Sequence, residues 1–179
     1  MLVRMKAALA MAVGVTALAA VPASAVTFPD DGTAFRIQLR DDPSLCLAIE
    51  SRSTGQKTGK LLVTRPCDEQ ATAQRFTYQA DRGYIHNASV PDDQCLTGFP
   101  AGLRTGFGMG PCSFRPNHPL LPRKFVATPD PHLFVTSTPK SGEKPLSGCV
   151  ATGREGTPAV LQGCTDGEWL DFELVPAKQ

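Results

Sequence analysis

The chain has 179 residues, and its 18 Lys and Arg residues nearly balance its 17 Asp and Glu residues. A formal charge of +1 provides no excess of basic side chains for binding nucleic acid or an anionic membrane. Sixteen glycines and sixteen prolines suit a chain with many turns.

The first predicted element is an apolar leader. Arg4 and Lys6 precede a run rich in Ala, Val and Leu, and the small-x-small signal "ASA" follows that run. We expect a signal peptide over residues 1–25 that is cleaved after Ala25, which predicts a secreted, extracellular protein. The mature chain would then carry 16 basic and 17 acidic residues, a formal charge of about −1. No second run of about 18 apolar residues follows, so we expect no membrane insertion.

Twelve short segments of the predicted mature chain carry strand signals. Each has roughly five to seven residues, several alternate apolar and polar side chains, and Gly, Pro, Asp or Ser bounds them. In chain order they are "FRIQLR", "CLAIES", "LLVTRPC", "QRFTYQA", "GYIHN", "CLTGF", "GFGMGPC", "RKFVATP", "HLFVTST", "CVATG", "AVLQGC" and "WLDFELV". Since no segment has a persuasive helical period, the pattern predicts an all-β domain over residues 26–179.

The cysteines recur with the strands. All six lie in the predicted mature part, which indicates three disulfides in an oxidising compartment but by count alone allows fifteen pairings. The absence of a Cys-x-x-Cys pair argues against a zinc ribbon or a thioredoxin-like redox site. Three cysteines recur at intervals of 49 and 54 residues: Cys46, Cys95 and Cys149. Three aromatic residues recur at intervals of 49 and 47: Phe76, Phe125 and Phe172. The periods predict three repeats, approximately 33–80, 81–129 and 130–176, with the phenylalanines in the core.

The order of Cys-Leu, an apolar strand ending in Cys and a closing aromatic motif resembles the ricin-type β-trefoil lectins. The repeats of that family carry Cys-Leu-Asp and a closing Gln-x-Trp. "QRF" at residues 74–76 is the closest match to the closing motif, whereas "RKF" and "LDF" in the later repeats keep only the aromatic residue. The resemblance implies a β-trefoil of three four-strand repeats with pseudo-threefold symmetry. It also implies one disulfide within each repeat: Cys46–Cys67, Cys95–Cys112 and Cys149–Cys164.

The sugar-binding positions of that family are altered in this chain. In ricin-type lectins an Asp two residues after the first cysteine accepts hydrogen bonds from sugar hydroxyls. The corresponding positions here hold Ala48, Thr97 and Ala151. The positions two residues before the second cysteine, which often hold a stacking aromatic, carry Arg65, Gly110 and Gln162. Alanine accepts no hydrogen bond from a hydroxyl, and losing a charge-assisted bond costs roughly 1.5–3 kcal/mol.

Side chains of the last strand offer one replacement site. Alternation in "WLDFELV" puts Trp169, Asp171 and Glu173 on the outward face, with Leu170 and its alternate neighbours facing the core. The indole could stack on a sugar, and the two carboxylates could accept its hydroxyls. The structural alternative is that Trp169 is a rim residue packed against a neighbouring loop.

The second repeat offers another replacement site. Asp93 and Thr97 supply oxygen atoms, and Phe99 supplies an aromatic ring in the adjoining hairpin. The structural alternative here is an ordinary polar turn. We expect the neighbouring glycines of "TGFGMGP" to form tight turns.

The remaining motifs bear on the class of function. The chain has no recognisable catalytic motif, and its three histidines have no metal-ligand spacing, so we expect no enzyme activity, no metal and no cofactor. The prediction is a secreted, lectin-like carbohydrate-binding module whose partner is a glycan or a cell-surface glycoconjugate. The alternative is a trefoil that has lost sugar binding and acts as a protein-binding or toxin-accessory subunit. The missing Asp residues favour this alternative.

Overall fold

The structure is a computed structural model that describes residues 25–53, 58–113, 121–139, 142, 144–165 and 169–178. Nearly all of the predicted signal peptide therefore lies outside the described residues. The strands of the described part are, in chain order, β1 Phe35–Leu39, β2 Leu45–Ser53, β3 Thr58–Pro66, β4 Phe76–Gln79, β5 Tyr84–Asn87, β6 Gln94–Ala101, β7 Arg104–Pro111, β8 Lys124–Val126, β9 Phe134–Thr136, β10 Ser147–Ala151, β11 Val160–Gln162 and β12 Phe172–Pro176. A single 3-10 turn, Thr72–Gln74, precedes β4. Among these residues, no helix has the length and apolar character needed to cross a membrane.

Each of the twelve predicted segments overlaps one of these strands, which confirms the all-β prediction. Strand β1 illustrates why the pattern was informative. Phe35, Ile37 and Leu39 are buried, whereas Arg36 and Gln38 between them are only partly covered. Because successive side chains of a strand point to opposite faces, this alternation covers one face and leaves the other accessible.

Six strands follow one another around a ring. Strand β1 pairs antiparallel with β4 and β12, β4 pairs with β5, and β8 pairs with β9. The Phe125 N–H donates to the Gly83 carbonyl at 2.7 Å and joins β8 to the residue before β5. An antiparallel bridge between His132 and Asp171 connects the segments that precede β9 and β12. These contacts give the ring order β1, β4, β5, β8, β9 and β12.

The other six strands form three antiparallel hairpins, β2–β3, β6–β7 and β10–β11. The hairpins meet one another with the same register at three places. In each contact, the residue six positions before the second cysteine of one predicted repeat pairs with the residue four positions before the second cysteine of the next. The pairs are Leu61 with Gly108, Gly106 with Val160, and Pro158 with Val63. Between these pairs three side chains are at most 1 % exposed: Leu62, Phe107 and Ala159.

One hydrophobic cluster draws residues from all three predicted repeats. The recurring aromatic residues Phe76, Phe125 and Phe172 are fully buried in it, which confirms the prediction that they are core residues. Leu170 is buried as well, whereas Glu173, which alternation puts on the opposite face from Phe172, is exposed. Apolar side chains at equivalent places in the repeats are thus removed from water together, which is the main favourable contribution to folding.

Two different residues close the first and second repeats. Gln74 accepts the Asp68 N–H at 2.9 Å and donates to the Pro66 carbonyl at 2.7 Å. Arg123, at the equivalent position, donates to the Cys112 carbonyl at 2.9 Å. Both side chains are buried, and each bonds the chain at the end of the preceding hairpin. A long side chain with N–H donors is therefore sufficient at this position, which explains why "RKF" can stand where "QRF" stands.

Two of the predicted disulfides are present, Cys46–Cys67 and Cys149–Cys164. The third, Cys95–Cys112, is not formed, and both residues are free thiols. Their hairpin has the same register as the other two, and the thiols are hydrogen-bonded to each other. Burial raises the pKa of both thiols above the ordinary value of 9.0. Because disulfide exchange requires the thiolate, such protonated thiols exchange slowly.

Candidate functional site

The residues predicted as a site in the second repeat lie together on the β6–β7 hairpin. Thr97 and Phe99 are two residues apart in β6 and therefore lie on the same face. Asp93 comes just before the strand, and its carbonyl accepts the Cys112 N–H at 2.9 Å. Burial raises the pKa of the Cys112 thiol, and the negative charge of the exposed Asp93 carboxylate adds to this effect. The strand thus places Thr97 and Phe99 side by side, and Asp93 lies four residues before Thr97 along the chain.

Three glycines of β7 lie opposite these side chains and form the floor of the surface. Phe99 pairs with Gly106, and Thr97 pairs with Gly108. A Cβ atom on Gly106 would lie 2.9 Å from the Phe99 ring, and one on Gly110 would lie 2.9 Å from Thr97 Cγ2. The Phe99 ring and the Thr97 methyl group therefore rest directly on the backbone of β7. The prediction that these glycines form tight turns is wrong. They occupy alternate positions within strand β7, so one face of that strand has no side chains at these positions.

Two of these side chains are accessible and suit a sugar. The Phe99 ring is partly exposed, and Asp93 presents a free carboxylate edge to solvent. Thr97 is 8 % exposed, and its hydroxyl makes only a long bond of 3.4 Å to the Gly98 carbonyl. An apolar ring can cover the C–H face of a sugar ring, while oxygen atoms beside it accept or donate hydrogen bonds to the hydroxyls.

Trp169 does not belong to the face of β12 on which the sequence pattern put it. The strand begins at Phe172, and the φ of Trp169 is 69°, in the left-handed region, so the alternation of the strand does not extend to it. The backbone N–H of Trp169 donates to the Asp41 carboxylate at 3.0 Å, and the Trp169 carbonyl accepts the backbone N–H of Thr152 at 3.3 Å. The side chain packs, partly buried, against the core. Its ring is partly exposed, so stacking of Trp169 on a sugar stays a prediction.

The other two residues predicted in the third repeat lie side by side without the tryptophan. Asp171 Oδ1 is 3.2 Å from His132 Nε2. Glu173 is exposed and lines a cavity of about 160 Å³ together with Arg40 and residues 25–27. The structure therefore keeps Asp171 just before β12 and Glu173 on its outer face, whereas the partly exposed Trp169 ring lies outside the alternation of that strand.

The first hairpin carries a charged cluster that the sequence analysis missed. Glu50 lies two residues beyond Ala48 on the same face of β2. Arg65 Nη2 donates to both Glu50 carboxylate oxygens, at 2.7 and 2.8 Å, and Arg52 Nε donates to one of them at 2.9 Å. The bonds from Arg65, followed by those from Arg52, hold the pKa of Glu50 below its ordinary value of 4.5. The sequence did contain a signal for this cluster, because Ala48, Glu50 and Arg52 occupy alternate positions of a predicted strand and therefore share one of its faces.

Comparison with known proteins supports the fold. No family model and no curated protein sequence matches the chain. Among solved structures, the chain is similar to a β-trefoil lectin of the Vibrio vulnificus hemolysin/cytolysin, which was crystallised with N-acetyl-D-lactosamine bound. The TM-score is 0.57 at 12 % sequence identity, over 82 % of this chain and 96 % of that one. The likeness shows a fold shared with β-trefoil lectins in general, and not with the ricin-type family in particular.

Proposed function

We propose that the protein is a secreted, non-catalytic carbohydrate-binding module built as a three-repeat β-trefoil. The observation that carries the proposal is the partly exposed Phe99 ring, which lies on a glycine floor with the Thr97 hydroxyl and the Asp93 carboxylate on the same hairpin. The hairpin register that recurs three times supports the repeat organisation. The leader with its "ASA" signal supports secretion.

The geometry favours weak binding of a single sugar unit. A sugar stacked on Phe99 would contact one aromatic ring, and the backbone of β3 at Lys60 lies against the neighbouring Gly108. Such stacking contributes about 0.5–1.5 kcal/mol beyond the area it buries. With a hydroxyl bond to Thr97 in addition, we expect a dissociation constant of roughly 0.1–1 mM at this site.

Titration with neutral glycans tests the proposal, and N-acetyl-D-lactosamine is the first choice since the structural neighbour binds it. Phe99→Ala should weaken binding about tenfold because it removes the stacking ring and its buried area. Trp169→Phe is the matched control and should leave binding unchanged, since Trp169 packs against the core. Ligand-induced NMR shifts of the wild type and both variants would measure these affinities.

Two outcomes would overturn the proposal. Saturable binding that Phe99→Ala leaves unchanged would place the sugar away from β6. No binding to any glycan across an array would reject the lectin function and favour the protein-binding alternative. Thermal melts of the variants separate either result from simple unfolding.

A further inference from the structure

We propose that the outer face of the β2–β3 hairpin is a second glycan subsite, which selects a sugar bearing a carboxylate. The subsite is formed by Arg52 and Arg65 on either side of Glu50. This inference rests on the proposed glycan-binding function, but its residues are all distinct from the hairpin that carries Phe99.

The side chains at the base of this face cannot take over the hydrogen bonds of the Asp that ricin-type lectins carry at the position of Ala48. Ala48 is 5 % exposed, and its partner across the hairpin, Val63, is fully buried. Neither side chain forms hydrogen bonds. Polar recognition on this face therefore depends on the next residues outward along the same side of β2, Glu50 and Arg52.

The cluster is positively charged and rich in donors. Two guanidinium groups face one carboxylate, so its formal charge is +1. Arg65 and Arg52 already occupy both oxygens of Glu50, which leaves that carboxylate little capacity to accept sugar hydroxyls. Each guanidinium carries five N–H donors, and the bonds described for Arg52 and Arg65 use only some of them. The unused donors favour a ligand that accepts hydrogen bonds and carries negative charge.

The two guanidinium groups are held in place before any ligand arrives. Arg52 Nη2 donates to the Gly156 carbonyl at 3.0 Å, which ties the first hairpin to the third repeat. The three charged side chains are 31–35 % exposed, so they are held by their bonds yet remain accessible to solvent. Ordering them in the free protein reduces the entropy that binding would otherwise cost.

A glycine packs beside the guanidinium groups. Gly156 has a φ of 82°, and a Cβ atom there would lie 3.4 Å from Arg65 Nη1 and 4.0 Å from Arg52 Nη2. The Gly156 backbone therefore lies against both groups on that side, and a ligand would reach them along their solvent-exposed edges. A carboxylate matches the fork of a guanidinium with two parallel hydrogen bonds.

The experiment compares sugars that differ only in charge. Glucuronic acid and N-acetylneuraminic acid would be titrated against their methyl esters, which keep the ring but lose the negative charge. We expect the wild type to bind the acids about tenfold tighter than the esters, and Arg52→Gln to lose that preference. Arg52→Lys keeps the charge without the fork and should retain part of it. Arg104→Gln removes an exposed arginine of β7 and serves as the charge-matched control.

Several results would overturn the subsite. Equal affinity for acid and ester in the wild type would exclude recognition of the carboxylate. Equal losses in Arg52→Gln and Arg104→Gln would assign the preference to overall charge. Glucose 6-sulfate bound as tightly as glucuronic acid would show a general anion site. Neutral-sugar binding that depends on Phe99 tests the first proposal separately, since Arg52→Gln should leave it unchanged.

Discussion

At the scale of single residues, unlike side chains perform the same task because the fold specifies atoms and not residue names. Gln74 and Arg123 both place N–H donors on a carbonyl at the end of the preceding hairpin. Gln74 also accepts the Asp68 N–H, which Arg123 cannot do for its own repeat because a guanidinium has no acceptor. The closing position therefore requires a long, buried side chain with an N–H donor, and the aromatic residue two positions later packs in the core.

Removing the donor should destabilise the protein. Gln74→Ala leaves the Pro66 carbonyl and the Asp68 N–H without their partner, for which we expect a loss of about 1–3 kcal/mol in the free energy of unfolding. Urea denaturation would measure it. Gln70→Ala, at an exposed position of the same segment, is the control and should change stability by less than about 0.5 kcal/mol. Equal stabilities of the two variants would contradict the role assigned to Gln74.

At the scale of elements, the three hairpins share a register but differ in what they expose. The β2–β3 hairpin presents a cluster of Glu50 and two arginines, whereas the β6–β7 hairpin presents Phe99 on a glycine floor. Gly108 does a further task, because its missing side chain lets the backbone of β3 approach at Lys60. One glycine thus serves both the surface of its own hairpin and the contact with the next.

A methyl group at that contact should be costly. The Cβ atom of Gly108→Ala would collide with the Lys60 carbonyl oxygen, which belongs to the backbone and cannot rotate away. We expect a loss of about 1–3 kcal/mol from the forced shift of the hairpins. Gly59→Ala is the matched control, since its nearest atom beyond the neighbouring residues is Leu61 Cδ2 at 3.8 Å, an ordinary contact. A thermal melt of Gly108→Ala that coincides with that of Gly59→Ala would refute the close approach.

At the scale of the whole molecule, the repeats depend on one another. Each hairpin pairs with the other two, and the backbone bonds from Ala159 N–H to the Leu62 carbonyl and from Phe107 N–H to the Ala159 carbonyl link all three. The hydrophobic cluster likewise contains residues of every repeat. A four-strand unit taken alone would expose the apolar face that these contacts cover.

An isolated repeat should therefore not fold. A peptide of residues 81–129 lacks the partners of β7 in β3 and β11, and it leaves Phe107 and Phe125 without most of the core. We expect circular dichroism of this peptide to show no cooperative thermal transition, whereas the full chain should show one. A cooperative transition in the peptide would mean that the repeats are independent units.

The sequence by itself determined the strands and the core phenylalanines, and its resemblance to the ricin-type trefoils implied two cysteine pairs that are present. Alternation within segments such as "FRIQLR" has a direct physical origin, because every second side chain of a strand faces the core. The recurrence of Cys and Phe at about 50 residues identified the repeated unit. The fold could be predicted for this reason, since its signals are local or periodic. Secretion remains a prediction from the leader.

The tertiary structure decided where the candidate site residues lie, because their positions depend on partners distant in sequence. Trp169 takes a left-handed backbone conformation in a turn where its N–H bonds Asp41, 128 residues away, and no local pattern reports this. The pairing of Glu50 with Arg65 follows from the register of a hairpin. Cys95 stays a free thiol in a register that elsewhere forms a disulfide. Contacts of this kind appear only after the chain has folded, since folding alone sets which groups meet and how deeply water is excluded from them.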